Sequence, residues 1–349
     1  MTLRVAMLSH AMLNMFSGGL GIRVQSTMEA LRARGIDCSL INPYTDRLSN
    51  YDLVHVFSGL HATHLIVAAA KSDGLPVVLS PVLYPNWTKW QARVADFCDR
   101  LVGRLTRWEV RTTFRQIQSG VRTADRVIAL GEAEKRMLIE CYGANPEAIR
   151  VIPNGVSRSF LEAKAEAFRE RYRIFRKFAL CVGYIGEIKN QLALIESLRD
   201  EDIDIVLVGA CDGINQSYLE RCRAAGGDRL HYVGFVEHDD PLLASAFAAA
   251  EIFVLPSQCE VAPNAAIEAL AVGKPIVLTK HHSLDIEPDD AAFVEVDPYD
   301  VGAIRDAVRR LLAEPPDPEK CTALVEGYTW DRVVSDTIAV YDECLDERK

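Results

Sequence analysis

Twelve short apolar runs, separated by turn signals and helix-patterned stretches, set the limits on what this chain can fold into. In the first half they are RVAMLSH, CSLIN, LVHVF, PVVLSP, RVIAL and IRVIP; from about residue 178 they are FALCVG, DIVLVG, LHYVGF, IFVLPS, PIVLT and AAFVEV. Strand-like runs alternating with helical patterns indicate a parallel sheet with helices on both faces. Between the first two runs, GIRVQSTMEALRARG reads as an amphipathic helix, with Gly35 where a C-cap glycine is expected. The polar, helix-prone stretch RSFLEAKAEAFRERYRIFRK separates the two sets and reads as a connection. At 349 residues the chain is long for one core and comfortable for two. The expectation is an α/β fold of two doubly wound, Rossmann-like domains, 1–160 and 175–330, with 161–174 as linker.

A net charge of −10 argues against nucleic acid as the general partner. The nine cysteines are scattered without C-x-x-C pairs, which suits small core residues in a reducing cytoplasm. The start, MTLRVAMLSH, lacks the long apolar segment of a secretory leader, and no apolar run reaches the roughly 18 residues of a membrane span. A cytoplasmic protein is the expectation, with one qualification. Residues 86–126 carry nine Lys or Arg against four Asp or Glu, so this segment is +5 and the remainder −15. Read as one helix over 89–115, Lys89, Arg93, Arg100, Arg104, Arg107, Arg111 and Arg115 fall within roughly a quarter of its circumference. Trp90, Val94, Phe97, Leu101, Leu105 and Trp108 form an adjoining apolar stripe. Such a pair of faces fits an anionic membrane surface or a lipid-linked acceptor, or else a core-packed helix with solvated arginines.

In open α/β sheets ligands sit beyond the carboxyl ends of the strands, so chemistry is sought in the loops there, and with two domains in the crevice between them. After the first strand, Gly18, Gly19 and Gly21 permit close backbone approach at a helix start, which suits a diphosphate, although the spacing is not G-x-G-x-x-G. Lys189, in CVGYIGEIKNQLALIESL, precedes a helix and can neutralise charge on a departing phosphate. In PSQCEVAPNAAIEALAVGKPIVL, Glu260 lies in a loop above a strand end and Glu268 about one turn inside the next helix. The intervening amides suit an anion, and the two carboxylates suit sugar hydroxyls. His61 and His64, in SGLHATH, are candidates to meet an acceptor hydroxyl; His55 sits mid-strand and reads as a core histidine. Asp202 and Asp204 have a metal-ligand spacing but precede a strand, and His281 and His282 have no partners at ligand spacing, so no metal is expected.

These residues carry a resemblance to the retaining family 4 glycosyltransferases of GT-B architecture, two Rossmann-like domains facing a cleft. Its E-x7-E motif is similar to Glu260–Glu268, and ADRVIALGEAEKRMLIECYGANPEAIRVIPNGV and VGFVEHDDPLLASAFAAAEIFVLPS resemble the stretches leading to the linker and to the motif. GYTWDRVVSDTIAVYDECL resembles the terminal helix, about 330–349, that packs back on the first domain. The resemblance implies that Glu268 binds the ribose of a nucleotide-diphosphate sugar and Glu260 the donor sugar. Backbone at Asn264 and Ala265, the Gly18–Gly21 loop and Lys189 would hold the diphosphate, with Gly234 and Phe235 bordering the base. It implies a metal-independent hexosyltransferase with no cofactor, extending a glycan or lipid-linked acceptor in cell-envelope polysaccharide biosynthesis. Two positions depart from the pattern. Tyr184 follows Gly183 where an arginine is usual, which removes a cation unless Arg23 or Arg158 replaces it, and Phe57 stands where a histidine is common. A nucleotide-sugar epimerase, a phosphorylase or a weakly active nucleotide-sugar-binding homologue on the same architecture is the alternative.

Overall fold

All twelve apolar runs are parallel strands in the computed structural model, which describes residues 2–10, 13, 18–42, 45–107, 109–289 and 291–347. The chain forms two compact units. One takes the chain up to Asn154 and again from Trp330; the other is Gly155–Thr329.

The first unit holds β1 (Arg4–Leu8), β2 (Asp37–Leu40), β3 (Leu53–Phe57), β4 (Val77–Ser80), β5 (Arg126–Ala129) and β6 (Ile149–Val151), in the order β2-β1-β3-β4-β5-β6. All five residues of β3 are buried, as a central strand covered on both faces requires. Its one polar member, His55, is satisfied inside the core: Nδ1 lies 2.7 Å from the Tyr341 hydroxyl and Nε2 2.9 Å from Ser80 Oγ. Tyr341 belongs to the helix Trp330–Asp346, where Glu343 pairs with Arg126 at 2.8 Å and Arg150 at 2.7 Å.

The second unit holds β7 (Phe178–Val182), β8 (Asp204–Val208), β9 (Leu230–Gly234), β10 (Ile252–Leu255), β11 (Ile276–Thr279) and β12 (Phe293–Val296), in the order β12-β11-β10-β7-β8-β9. Residues 161–174, expected as a linker, contain the helix Glu166–Tyr172, which packs inside this unit: the Phe168 N–H donates to Ser245 Oγ at 2.9 Å. Asp202 and Asp204 pair with Arg176 at 2.5 and 3.0 Å, and Asp204 also meets His231 at 3.0 Å.

The basic segment differs from the single 89–115 helix expected. A helix spans Lys89–Leu105, Arg107 takes a left-handed φ of 53°, and a second helix begins at Thr113. The cause is Asp99, buried on the first helix, whose carboxylate accepts from the Thr112 N–H at 3.3 Å and its hydroxyl at 2.7 Å. Thr112 then caps the second helix by accepting from the Arg115 N–H at 3.3 Å. Arg111 and Arg115 therefore leave the basic stripe. The apolar stripe of the first helix faces solvent, with Trp90 71%, Phe97 70% and Leu105 77% exposed; Trp108 lies outside the described residues. No helix among the described residues is long and apolar enough to cross a membrane.

At the carboxyl edge of the second sheet the backbones of β7 and β8 come very close. A Cβ on Gly209 would sit 1.9 Å from the Gly183 carbonyl oxygen, whereas one on Gly213 would meet nothing within 4 Å. Gly209→Ala is expected to destabilise the second unit by about 1–3 kcal/mol or more, and Gly213→Ala to leave it unchanged, in denaturant titrations.

Candidate active site

In the second sheet β7 is flanked by β8 and β10: the chain runs outward from β7 to β9, then returns to β7's other side. The loops after β7 and β10 therefore leave in opposite directions and open a crevice at their carboxyl ends. The loop after β7 passes Gly183 and Tyr184 into a short turn, Glu187–Lys189, and then Asn190 at a left-handed φ of 56°, a conformation Asn tolerates. The Asn190 amide donates to the carbonyls of Pro256, at 3.0 Å, and Pro298, at 2.8 Å, and the Gln258 N–H donates to the Ile188 carbonyl at 2.8 Å. These bonds tie the two loops together and bring Lys189 Nζ to 2.5 Å from Glu260 Oε1. The side chains are 24% and 7% exposed, so the ammonium retains a wet side while the carboxylate is nearly enclosed.

Glu260 is also fixed through its backbone, its N–H donating to the His281 carbonyl at 2.8 Å. Four residues on, the helix Asn264–Ala271 begins behind Pro263, which has no side-chain acceptor to cap the first turn. The amides around Asn264 and Ala265 thus form the anion-attracting end of a helix directly after Glu260. Glu268, buried on that helix, has Oε1 2.7 Å from Nε2 of His238. His238 comes from the loop after β9, which turns at Gly234 with φ 88°. Phe235, 47% exposed, leaves the same turn.

Tyr184, in place of the arginine implied by the resemblance, is drawn sideways. The Asn215 amide donates to its hydroxyl at 2.9 Å. Burial, and then a bond to Asp212, push the phenol above its ordinary range, while Asp212 is held low by Tyr184 and Asn215. Arg23, one of the two possible substitutes, is buried in the first unit, with its guanidinium bonded to Asn154 Oδ1, and burial pulls it down to about 10.

In the first sheet the reversal falls between β1 and β3. His10 follows β1, and His61 follows β3 after a sharp bend in which Ser58, His61 and Ala62 have φ of 78°, 57° and 61°. The rings of His10 and His61 lie 4.6 Å apart, and burial, then His61, hold His10 below its ordinary value. His64 does not join them at the surface. It is buried at the start of the helix His64–Ser72, where a Cβ on Gly120 would lie 3.7 Å from its own Cβ. Gly18, Gly19 and Gly21 open the helix Gly19–Ala33 of the same unit, with free space at the first two. Sequence reasoning passed over His10 and His238. Both stand at or just past the carboxyl end of a strand, and that position was the available signal. Among the described residues no group of three or more His, Cys, Asp or Glu is placed to hold a metal.

Residues 176–314 match the family described as Glycosyl transferases group 1, and residues 44–160 match Glycosyltransferase Family 4. The chain is a GT-B relative of the family 4 glycosyltransferases. A D-inositol 3-phosphate glycosyltransferase from Acidothermus cellulolyticus is 28% identical over 254 residues, 66% of this chain and 55% of that protein. The first curated relatives of this GT-B chain are matched over a little more than half their length, 55%, 53% and 57%. Solved structures share its fold. A sucrose-phosphate synthase from Thermosynechococcus elongatus has a TM-score of 0.77 at 19% identity, covering 99% of this chain and 100% of that one. Anabaena Alr3699/HepE in complex with UDP-glucose has a TM-score of 0.76 at 14% identity, covering 98% and 100%.

Lys189→Met would leave the Glu260 carboxylate enclosed without its cation. A loss of about 1–3 kcal/mol at neutral pH is expected. A urea titration at neutral pH checks it.

Proposed function

We propose that this chain is a retaining, metal-independent glycosyltransferase that moves a sugar from a nucleotide-diphosphate sugar to a hydroxyl of a glycan or lipid-linked acceptor, in cell-envelope polysaccharide synthesis. The observation that carries the reading is the placement of Lys189, Glu260, Glu268 and the amide-rich start of the helix Asn264–Ala271 around one sheet edge. Each supplies what one part of such a donor needs. Glu268 accepts from the ribose hydroxyls, held for that task by His238; Glu260 accepts from the sugar hydroxyls; the amides at Asn264 and Ala265, with Lys189, take the diphosphate. In the first unit, Gly18, Gly19 and Gly21 leave room at a helix start for a phosphate, and His61, beside His10, is the candidate to meet an acceptor hydroxyl. The Anabaena neighbour in complex with UDP-glucose supports the donor class.

In the reaction the bond between the anomeric carbon and the diphosphate oxygen breaks, and the acceptor oxygen bonds to that carbon from the same face. The leaving diphosphate takes the acceptor's proton, and Lys189 neutralises the charge it gains. With Tyr184 turned to Asn215, Lys189 carries more of that work alone. Thermal-shift measurements against UDP, GDP and ADP and their glucose or mannose derivatives should give a clear rise with one nucleotide. Donor turnover should persist in EDTA and fall about 100-fold or more in Lys189→Ala. No rise with any nucleotide, or full turnover in Lys189→Ala, defeats the assignment.

We infer that the same protein works at an anionic membrane surface. The helix Lys89–Leu105 exposes Trp90, Phe97, Leu101 and Leu105 beside exposed Arg93, Arg100 and Arg104, which complements acyl chains below and acidic headgroups at their level. It should co-sediment with phosphatidylglycerol vesicles at low salt but not with phosphatidylcholine ones. Reversing Arg93, Arg100 and Arg104 to glutamate should abolish pelleting; unchanged pelleting would exclude this surface.

A further inference from the structure

The turn after β11 contributes no side chain to the pairs described above, yet it holds the backbone of Glu260. Its His281 carbonyl accepts from the Glu260 N–H at 2.8 Å, and its Ser283 N–H donates to the Val261 carbonyl at 2.7 Å. Between them lies His282, whose side chain is only 4% exposed. Its Nδ1 accepts from the Leu284 N–H at 3.0 Å, and its Nε2 lies 2.8 Å from Glu295 Oε1 on β12.

This pair of bonds admits one form of the ring. A backbone N–H always brings a proton, so Nδ1 must be bare, and the neutral imidazole then carries its hydrogen on Nε2, facing the carboxylate. A second proton, on Nδ1, would set two donors against each other and break the bond that closes the turn. The charged groups facing the ring are Glu295 from β12, Glu260 from the loop after β10 and Asp285 from its own loop; Phe293 packs on it at 5.7 Å. All three acids favour the cation, but burial outweighs them and holds His282 below its ordinary value.

We propose that His282 is a positioning residue for Glu260: its two hydrogen bonds lock the 281–284 turn, and the turn fixes the backbone from which the Glu260 carboxylate reaches the donor sugar. This rests on the donor-sugar role proposed for Glu260. The sign of the pH effect follows. A histidine whose folded value is depressed contributes order that is complete above the ordinary value near 6.5 and lost as pH falls through the folded one. The contact to the sugar therefore weakens with acid, while the contact to ribose, made by Glu268 on another element, does not follow it through His282.

The test compares the full chain's affinities for UDP-glucose and for UDP, whose ratio reports the sugar's share. His282→Leu, which cannot accept from Leu284, should lower that ratio about five- to tenfold, the worth of roughly one hydrogen bond, with UDP affinity unchanged. His282→Asn, whose side-chain oxygen can replace Nδ1 and does not titrate, should keep the ratio and lose its decline as pH falls below the ordinary histidine value. Equal loss for both ligands would mark a merely structural histidine and overturn the proposal. Glu260→Ala serves as the control: if it leaves the ratio unchanged, the sugar role of Glu260 is at fault.

Amide exchange decides the positioning without any ligand. Corrected for intrinsic rates, protection across 258–263 should fall with pH in the wild type and hold in His282→Asn. Protection insensitive to pH in the wild type overturns the proposal, whatever Glu260 contacts and whether or not His282→Leu folds.

Discussion

An enclosed carboxylate cannot keep its charge without a cation at contact distance, and the 2.5 Å pair between Lys189 and Glu260 meets that demand at the sheet edge. The two residues are 71 positions apart and come together only because β10 lies against β7. The surrounding bonds serve that meeting: Asn190 ties the β7 loop to Pro256 and Pro298, and His281 carries the Glu260 N–H. A ligand phosphate that draws Lys189 away would release Glu260 to accept from hydroxyls instead. The pair thus holds the enclosed carboxylate against an ammonium that keeps a wet side.

The strands were legible because parallel strands buried on both faces leave an unbroken apolar signature, and every run found in the sequence lies in one of the two sheets. Glu260, Glu268 and Lys189 were singled out by position near strand ends and helix starts, and a family resemblance supplied their suggested roles. Their partners were not legible. His238 reaches Glu268 across 30 residues, and only its place just past the end of β9 distinguishes it in the sequence. The break in the basic segment was hidden for a similar reason: the 3.6-residue pattern continues through Thr106–Arg111, and only Asp99 reaching Thr112 interrupts it. For His64, a strand-end position suggested the surface, but one turn of helix carried it under Gly120.

Tyr184 shows how a substitution can reroute a local network as well as delete a charge. Its hydroxyl is held by Asn215 and Asp212, over the loop after β8, so the ring offers an apolar face where a guanidinium would project freely. In the function proposed above, stabilising a leaving group would then fall to amide dipoles and a single ammonium, a weaker field that depends more on how well each donor is held.

The core of the first unit is closed by a segment that lies beyond the entire second unit in sequence, with Tyr341 bonded to His55 and Glu343 to Arg126 and Arg150. Translation therefore releases the two units in an unequal state. Gly155–Thr329 is continuous and has all its strands once synthesised, while the sheet begun first waits, with His55 unpartnered by its tyrosine, until the helix Trp330–Asp346 emerges from the ribosome.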